Sequence, residues 1–418
     1  MRPLDNTAPL SICLLSYRSH PYCGGQGVYV NHLSKALKAL GHQVEVVSGP
    51  PAPQLDEKIN LFRLPGLDLY NPADPFRMPS LKELSDPVNL MEWLGVSTMG
   101  FPEPFTFGIR AYRFLKKRIF KYDIVHDNQS ISYGIRSINR FVPTIATIHH
   151  PITVDRNLAV KAASSFWAKI KQLRWYSFIG MQKRVARTLS HIITVSKSSM
   201  HDIGRDFNIP QQRFKVIPNG IDMDLFHPIP EIKREKNRII VTSSAETPLK
   251  GLHYLLEAVA EISLTRKIKL VVVGTMRKNG EIERLLTKLG IKECVTFTGR
   301  IGNDDFVRHY AKAFLAIVPS VYEGFGFPAG EAMACGLPVI STTGGALPEV
   351  VGNAGILVPP ANPRALVKAI LTLMDHPEQA EQMGREGFNR VRDRFTWKKT
   401  AEMTVEAYRE TIRDHRRP

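Results

Sequence analysis

The sequence predicts an α/β protein built from two doubly wound, Rossmann-like domains, and three observations carry that reading. Short apolar runs alternate with amphipathic stretches along almost the whole chain, the pattern of parallel sheets with helices on both faces. Glycines stand where strands give way to helices, at Gly24, Gly25 and Gly27 near the start and at Gly324 and Gly326 later. Finally, 418 residues are too many for one hydrophobic core, and a stretch carrying Pro228 and Pro230 separates two alternating halves.

In chain order, SICLLS (11–16) is the first strand, followed by a glycine loop, a helix over 28–40 closed by Gly41, and a second strand over 44–48. The glycines do not form GxGxxG, and Ser48-Gly49 ends the second strand where an acidic residue would hold a ribose, which argues against a nicotinamide dinucleotide. Residues 50–104 are rich in proline and aromatics, with one strand at 59–64 and little helical period, so they are expected to form an irregular, substrate-facing insertion. A basic helix over 109–122 and a strand over 123–127 come next. TIATIHH (144–150), bracketed by Pro143 and Pro151, puts His149 and His150 at the carboxyl end of a strand, the edge where open α/β sheets bind ligands. After the strand HIITVS (191–196), FKVIPNGID closes the first domain at Asp222.

The second half repeats the alternation. Strands are expected at 238–242, 269–274, 295–298, 314–319, 338–341 and 355–358, with helices between them, and the tail from 363 to 413 reads as helical throughout. The expected organisation is an N-terminal domain over 1–222, a linker over 223–237 and a second domain over 238–395. The terminal helix, 396–418, is expected to pack back on the first domain, with the two sheets facing an interdomain cleft.

Composition narrows the partners. Hydrophobic (43%) and charged (23%) fractions are ordinary for a globular chain, but the formal net charge of +17 favours an anionic partner. The four cysteines, Cys13, Cys23, Cys294 and Cys335, are scattered, which points to a reducing compartment and no structural zinc. The apolar run over 10–15 is too short for a signal peptide, and no later segment reaches the length of a spanning helix, so a cytoplasmic protein is expected. Residues 156–201 contain no acid, and their lysines and arginines interleave with Phe166, Trp167, Trp175, Tyr176 and Phe178, which fits peripheral contact with an anionic membrane on its inner face. Nucleic acid is not expected, because no recognition motif accompanies the charge.

The richest stretch is SVYEGFGFPAGEAMACG (320–336), which follows a buried apolar run. Gly324 and Gly326 let the backbone approach a ligand, Pro328 suits the first helical turn, and the carboxylates Glu323 and Glu331 frame the turn. A helix start of this kind offers free N–H groups to phosphate or sugar hydroxyls. Lys250-Gly251, Gly299-Arg300 and Gly344-Gly345 mark further strand-to-helix junctions, where Lys250 and Arg300 are placed to neutralise a diphosphate. Asp222 and Asp224 resemble a DxD metal site, but an aspartate pair beside Asn219-Gly220 is turn chemistry, so no metal is expected.

Taken together, these residues resemble glycosyltransferase family 4, the retaining nucleotide-sugar transferases of GT-B fold. The most specific marker is a glutamate, seven residues and a second glutamate, Glu323 to Glu331. Supporting it are Gly24-Gly25, TIH (147–149), IPNGID (217–222), Lys250-Gly251, and Gly344-Gly345 with Pro348-Glu349. The resemblance implies that Glu331 holds the ribose hydroxyls of the donor, and that Glu323, with the backbone of Gly324, Phe325 and Gly326, holds the donor sugar. It puts Lys250 on the diphosphate, His149 beside the transferred sugar, Gly25 close to the phosphates, and Arg300 and Ile301 at the base. His149, Lys250 and Glu323 are then the catalytic candidates. In one place the chain departs from the family. Ser244 stands where an arginine commonly supports the leaving diphosphate, so Arg18 or Arg300 would have to supply that charge, or the stabilisation is weaker.

The resemblance implies a cofactor-free enzyme that binds its donor without metal and transfers a sugar to a hydroxyl acceptor, membrane-proximal or lipid-linked, by a front-face route. The residues leave two other classes open: a nucleotide-sugar epimerase or sugar phosphorylase on the same scaffold, or a non-catalytic nucleotide-binding protein.

Overall fold

A computed structural model describes residues 8–19, 25–71, 74, 76–243 and 247–416. Cys23, Gly24 and Ser244 lie outside the described residues. The chain divides into two compact units. The first comprises Met1–Val195, Ser199–Ile217 and Thr400–Pro418, and the second Ser196–Ser198 and Pro218–Lys399.

The sheet of the first unit holds β1 (Ser11–Ser16), β2 (Gln43–Ser48), β3 (Asn60–Arg63), β4 (Ile124–Asn128), β5 (Thr144–Ile148), β6 (Ile192–Thr194) and β7 (Phe214–Val216) in the order β3-β2-β1-β4-β5-β6-β7. That of the second holds β8 (Arg238–Thr242), β9 (Lys269–Val273), β10 (Val295–Phe297), β11 (Leu315–Val318), β12 (Val339–Thr342) and β13 (Ile356–Val358) in the order β10-β9-β8-β11-β12-β13. Every pairing is parallel. Both orders reverse direction once, between β1 and β4 and between β8 and β11, and beyond the carboxyl ends of such a switch point an open α/β sheet has room for a ligand.

The strands are short and buried because helices cover both faces, so apolar side chains run on without alternation. Leu315, Ile317 and Ile340 pack against Leu252, Leu255 and Val259 in the second unit, while Leu15, Val47 and Val125 pack against Phe107, Ala111 and Leu115 in the first.

Three expectations need correction. The insertion over 50–104 is less irregular than its composition suggests, since it contains the helices Leu81–Leu84 and Pro87–Ser97. Ser80 and Glu83 form a capping box on the first, and the Asp86 carboxylate accepts the Val88 N–H at 2.7 Å with Pro87 in the first turn of the second. The Asp86-Pro87 pair was the legible signal, hidden by a helix apolar on nearly every side. Secondly, the basic helix begins at Glu103, because Pro104 suits a first helical turn, and it ends at Lys116. Thirdly, the tail is helical but interrupted: Pro363–Asp375, Pro377–Arg394 and Trp397–Arg416 are separate helices, broken where Pro377 removes an N–H and again at Phe395 and Thr396.

Buried polar bonds hold the insertion in place. Glu92, 3% exposed, pairs with Arg110 at 2.5 Å, receives the Thr106 hydroxyl at 2.7 Å and accepts the Leu67 N–H at 3.0 Å. Removing one partner of so buried a pair typically costs about 3–5 kcal/mol. The last helix crosses from the second unit into the first, where Tyr408 OH lies 2.6 Å from His126 Nδ1 and Glu410 pairs with Lys215.

Candidate active site

In the second unit, the loops leaving the switch-point strands β8 and β11 are fastened to each other. Val321 N–H donates to Leu249 O at 2.8 Å, and Gly251, at φ +65°, sits where a Cβ would lie 2.1 Å from Pro319 O. Only glycine allows that approach, and it brings Lys250 Nζ to 2.7 Å from Glu323 Oε1. Ser320 Oγ donates to the same oxygen at 2.8 Å. The Glu323 backbone is fixed as well, its carbonyl accepting Ala346 N–H at 2.9 Å. Gly345, at φ +63°, has no room for a Cβ beside that carbonyl. Glu323 is 11% exposed and Lys250 31%, so the pair is walled in with its ammonium still reachable.

Beyond Glu323 the chain turns at Gly326 (φ +101°) into the helix Phe327–Ala334, which carries Glu331. Phe325 is buried, with its ring against Phe327 and Phe395. Burial pushes the Glu331 carboxyl up to about 7, assisted by the nearby Glu323 charge and opposed by Lys250 and by a hydrogen bond from Tyr310. Tyr310, on the helix Asn303–Lys312, is itself 3.0 Å from Thr242 Oγ1 at the end of β8. Ser196–Ser198 count with this unit: the Ser196 hydroxyl donates to Gly324 O at 2.9 Å, and Glu349 accepts the N–H groups of Lys197 and Ser198, both at 2.8 Å.

Arg300 and Ile301 are placed apart from this cluster. They follow β10, the edge strand, three strand positions from β11 and so about 14 Å across the sheet. Arg300 is exposed. Asp222 accepts the N–H groups of Asp224 and Leu225 at 3.2 and 3.4 Å, the turn chemistry its sequence suggested.

In the first unit, His149 leaves β5 with its N–H bonded to Gln129 Oε1 at 3.0 Å and Nε2 2.7 Å from Asn128 Oδ1. Asn128 turns its amide nitrogen toward Ser16 Oγ and Gln26 O, so its oxygen faces His149. His149 Nε2 therefore carries the proton and Nδ1 is the acceptor. Burial, aided by His150 and His126, lowers the His149 imidazole to about 3, and the Tyr29 ring meets it edge-on with centroids 4.6 Å apart. The loop that supplies its partners is strained: Gln129 and Ile131 have φ of +63° and +45°. For a β-branched residue that is a genuine outlier. Asp127 holds the loop by accepting the Ser130 hydroxyl and the Ile131 N–H. Gly25 opens the helix Gly25–Ala39, and Arg18 spends its charge on Glu103 through two bonds of 3.0 and 3.1 Å.

Sequence reasoning missed Ser320, Tyr310, Asn128 and Gln129. Ser320 lies within the motif over 320–336, Tyr310 comes from the helix Asn303–Lys312, and Asn128 and Gln129 meet His149 through strand register and left-handed backbone.

Burial also keeps His126 neutral, with its imidazole lowered to about 3 between Tyr408 and Thr147. A histidine held below its ordinary 6.5 contributes stability above 6.5 that is lost as pH falls toward 3. The melting temperature will therefore drop across that window, and His126→Asn will flatten the slope in a thermal scan.

Two switch-point sheets carry a lysine–glutamate pair and a second buried carboxylate at one carboxyl edge and a neutral histidine at the other, an arrangement that suits an enzyme binding its ligands beyond the carboxyl ends of its strands. The comparisons agree. Residues 226–390 match the family model described as glycosyl transferases group 1, and residues 23–225 that described as glycosyltransferase family 4. The chain is 44% identical to the MMP alpha-(1->4)-mannosyltransferase of Mycolicibacterium hassiacum, over 96% of this chain and 98% of that one. Among solved structures it resembles sucrose-phosphate synthase of Thermosynechococcus elongatus, with a TM-score of 0.74 at 24% identity over 97% of this chain and all of that one. It also resembles Anabaena Alr3699/HepE in complex with UDP-glucose, with a TM-score of 0.65 at 17% identity over 97% and 98%. The chain belongs to glycosyltransferase family 4: it is a glycosyltransferase of GT-B fold that takes a nucleotide-sugar donor.

Proposed function

We propose that the protein transfers a mannosyl unit from a nucleoside diphosphate mannose to a sugar hydroxyl, forming an α-(1→4) linkage with retention at the anomeric carbon. The observation that carries the sugar and the linkage is the 44% identity, across nearly both whole chains, with a relative named for that reaction.

Lys250 stands on the donor diphosphate, Glu331 clamps the ribose, and Glu323 with the backbone of 324–326 holds the sugar. His149, neutral, receives a hydroxyl of the transferred sugar at Nδ1. On this reading residues 1–222 serve the acceptor and 238–395 the donor. A double displacement would need a carboxylate free to attack the anomeric carbon. Glu323 accepts from Lys250 and Ser320 at one oxygen, which suits a clamp better than a nucleophile. In the front-face route the departing phosphate oxygen takes the acceptor proton, while Lys250 and helix-start N–H groups meet the developing charge. Divalent metal has no part in this scheme, so EDTA will leave turnover unchanged. Incubation with nucleoside diphosphate mannoses and a mannoside acceptor, read by NMR of the product linkage, tests the assignment; transfer of glucose in preference to mannose would refute it.

Membrane contact is a further part of the reading. No helix among the described residues is long and apolar enough to cross a membrane, but the helix Phe166–Trp175 exposes Phe166 and Trp167 (71% and 77%) among lysines. Co-sedimentation with anionic vesicles at low salt will retain the wild type and release Trp167→Glu; equal release of both contradicts the contact.

A further inference from the structure

At the amino edge of the second sheet, the edge opposite Glu323, a groove of about 650 Å³ opens beneath Phe314 and Pro338, the residues just before β11 and β12. Its rim carries Lys233, Arg234, Lys236 and Arg385 against a single carboxylate, Glu381, and Arg385 already pairs with Glu381 at 2.9 Å. Among the described residues no ion pair reaches Lys233, Arg234 or Lys236. Glu235, between them in sequence, is turned away to Arg238 and Lys269.

Arg234 is the informative side chain. It is partly buried, and burial opposes its charge. Its only bonds among the described residues run from Nη2 to Gly336 O at 2.7 Å and Cys335 O at 3.4 Å. Those carbonyls end the helix Phe327–Ala334, whose negative dipole end offsets a fraction of one charge. The remaining positive charge faces a concave space with an apolar floor, the combination that accommodates an anion carrying an organic body. Gly384 reinforces the arrangement: a Cβ there would stand 2.3 Å from Gly336 O, so the helix Pro377–Arg394 packs against the same carbonyl.

We propose that this groove binds a soluble phosphorylated small molecule, with Lys233, Arg234 and Lys236 on the phosphate and Phe314 and Pro338 against its body. The site is separate from the donor site, at the other end of the helix that carries Glu331. Phosphate could also arrive on a lipid headgroup, but a floor sunk beneath the sheet edge suits a free molecule.

Calorimetric titration with inorganic pyrophosphate tests the proposal. The wild type and Lys250→Ala will both bind. The double variant Lys233→Glu, Lys236→Glu, altered at two exposed positions that leave the fold intact, will bind at least about tenfold more weakly. Unchanged affinity in the double variant would overturn the proposal, as would loss of binding in Lys250→Ala, which would assign the heat to the donor site. Vesicles of phosphatidate in phosphatidylcholine provide the last arm. Binding to them through Lys233 and Lys236, with no heat from soluble pyrophosphate, also overturns it.

Discussion

Lys250→Ala will lower kcat by about 10²–10³-fold, the usual cost of deleting one group that meets charge developing in a transition state. Its ammonium is held 2.7 Å from Glu323 by the zipped loops of β8 and β11, so little of its stabilisation is lost to reorganisation when the leaving diphosphate gains charge. The replacement also leaves Glu323 without its cation, and the donor sugar then meets a carboxylate held by Ser320 alone among these partners. Lys250→Arg restores charge but not the compact ammonium, so it will recover part of kcat. Steady-state kinetics with saturating acceptor separate the effects. Unaltered kcat in Lys250→Ala would move the phosphate role elsewhere. Because Ser244 stands at the position the family commonly gives to arginine, the proposed reading assigns Lys250 more of the diphosphate charge and puts the effect at the upper end of the range.

On the proposed reading, in which Glu331 holds the donor ribose, Glu331→Ala will raise the donor KM roughly 100-fold while changing kcat much less, because ribose hydroxyls are bound alike in the ground and transition states. Two hydrogen bonds to a charged acceptor are worth about 1.5–3 kcal/mol each, which covers that factor. The same carboxyl gives a pH signature. Burial holds it near 7, and only its ionised form accepts both hydroxyls, so kcat/KM falls as pH drops below 7, by tenfold per unit at the limit. The sign for folding is opposite. A raised carboxyl contributes stability below its ordinary value of 4.5 that is lost as pH rises through 7, so the donor-free enzyme melts lower at pH 8 than this group allows at pH 5. Glu331→Gln will remove the acid limb of kcat/KM and flatten the melting curve; an acid limb that persists unchanged assigns it to another group.

Much of the fold was written in local chemistry. Apolar runs such as LAIV (315–318) and glycines at forced left-handed positions such as Gly251 and Gly326 are properties of a few neighbouring residues, and the runs located the strands within one or two positions. The helix Pro87–Ser97 escaped because its apolar residues wrap around it, which erases the period, leaving only Asp86-Pro87 as a start signal. The site was legible to the extent that it lies in one motif. Lys250 and Glu323 are 73 positions apart, and it is the neighbouring of β8 and β11 that brings them together. Tyr310 reaches Glu331 from another helix, and Asn128 is aimed at His149 by the strained turn at Gln129 and Ile131, none of which a residue pattern encodes. Arg300 follows the edge strand β10, so its distance from the switch point is likewise set by strand order rather than by a residue pattern.

The central claim is that Glu323 and Glu331 clamp the donor while the departing phosphate and Lys250 perform the chemistry. Mass spectrometry of the wild type incubated with an α-linked nucleoside diphosphate mannose, with NMR of the product that Glu323→Gln forms once acceptor is added, tests it most directly. The prediction is slow formation of an α-linked product by the variant and a wild-type mass that stays that of the unmodified chain throughout. A covalent mannosyl adduct on the protein, or a β-linked product, would contradict it.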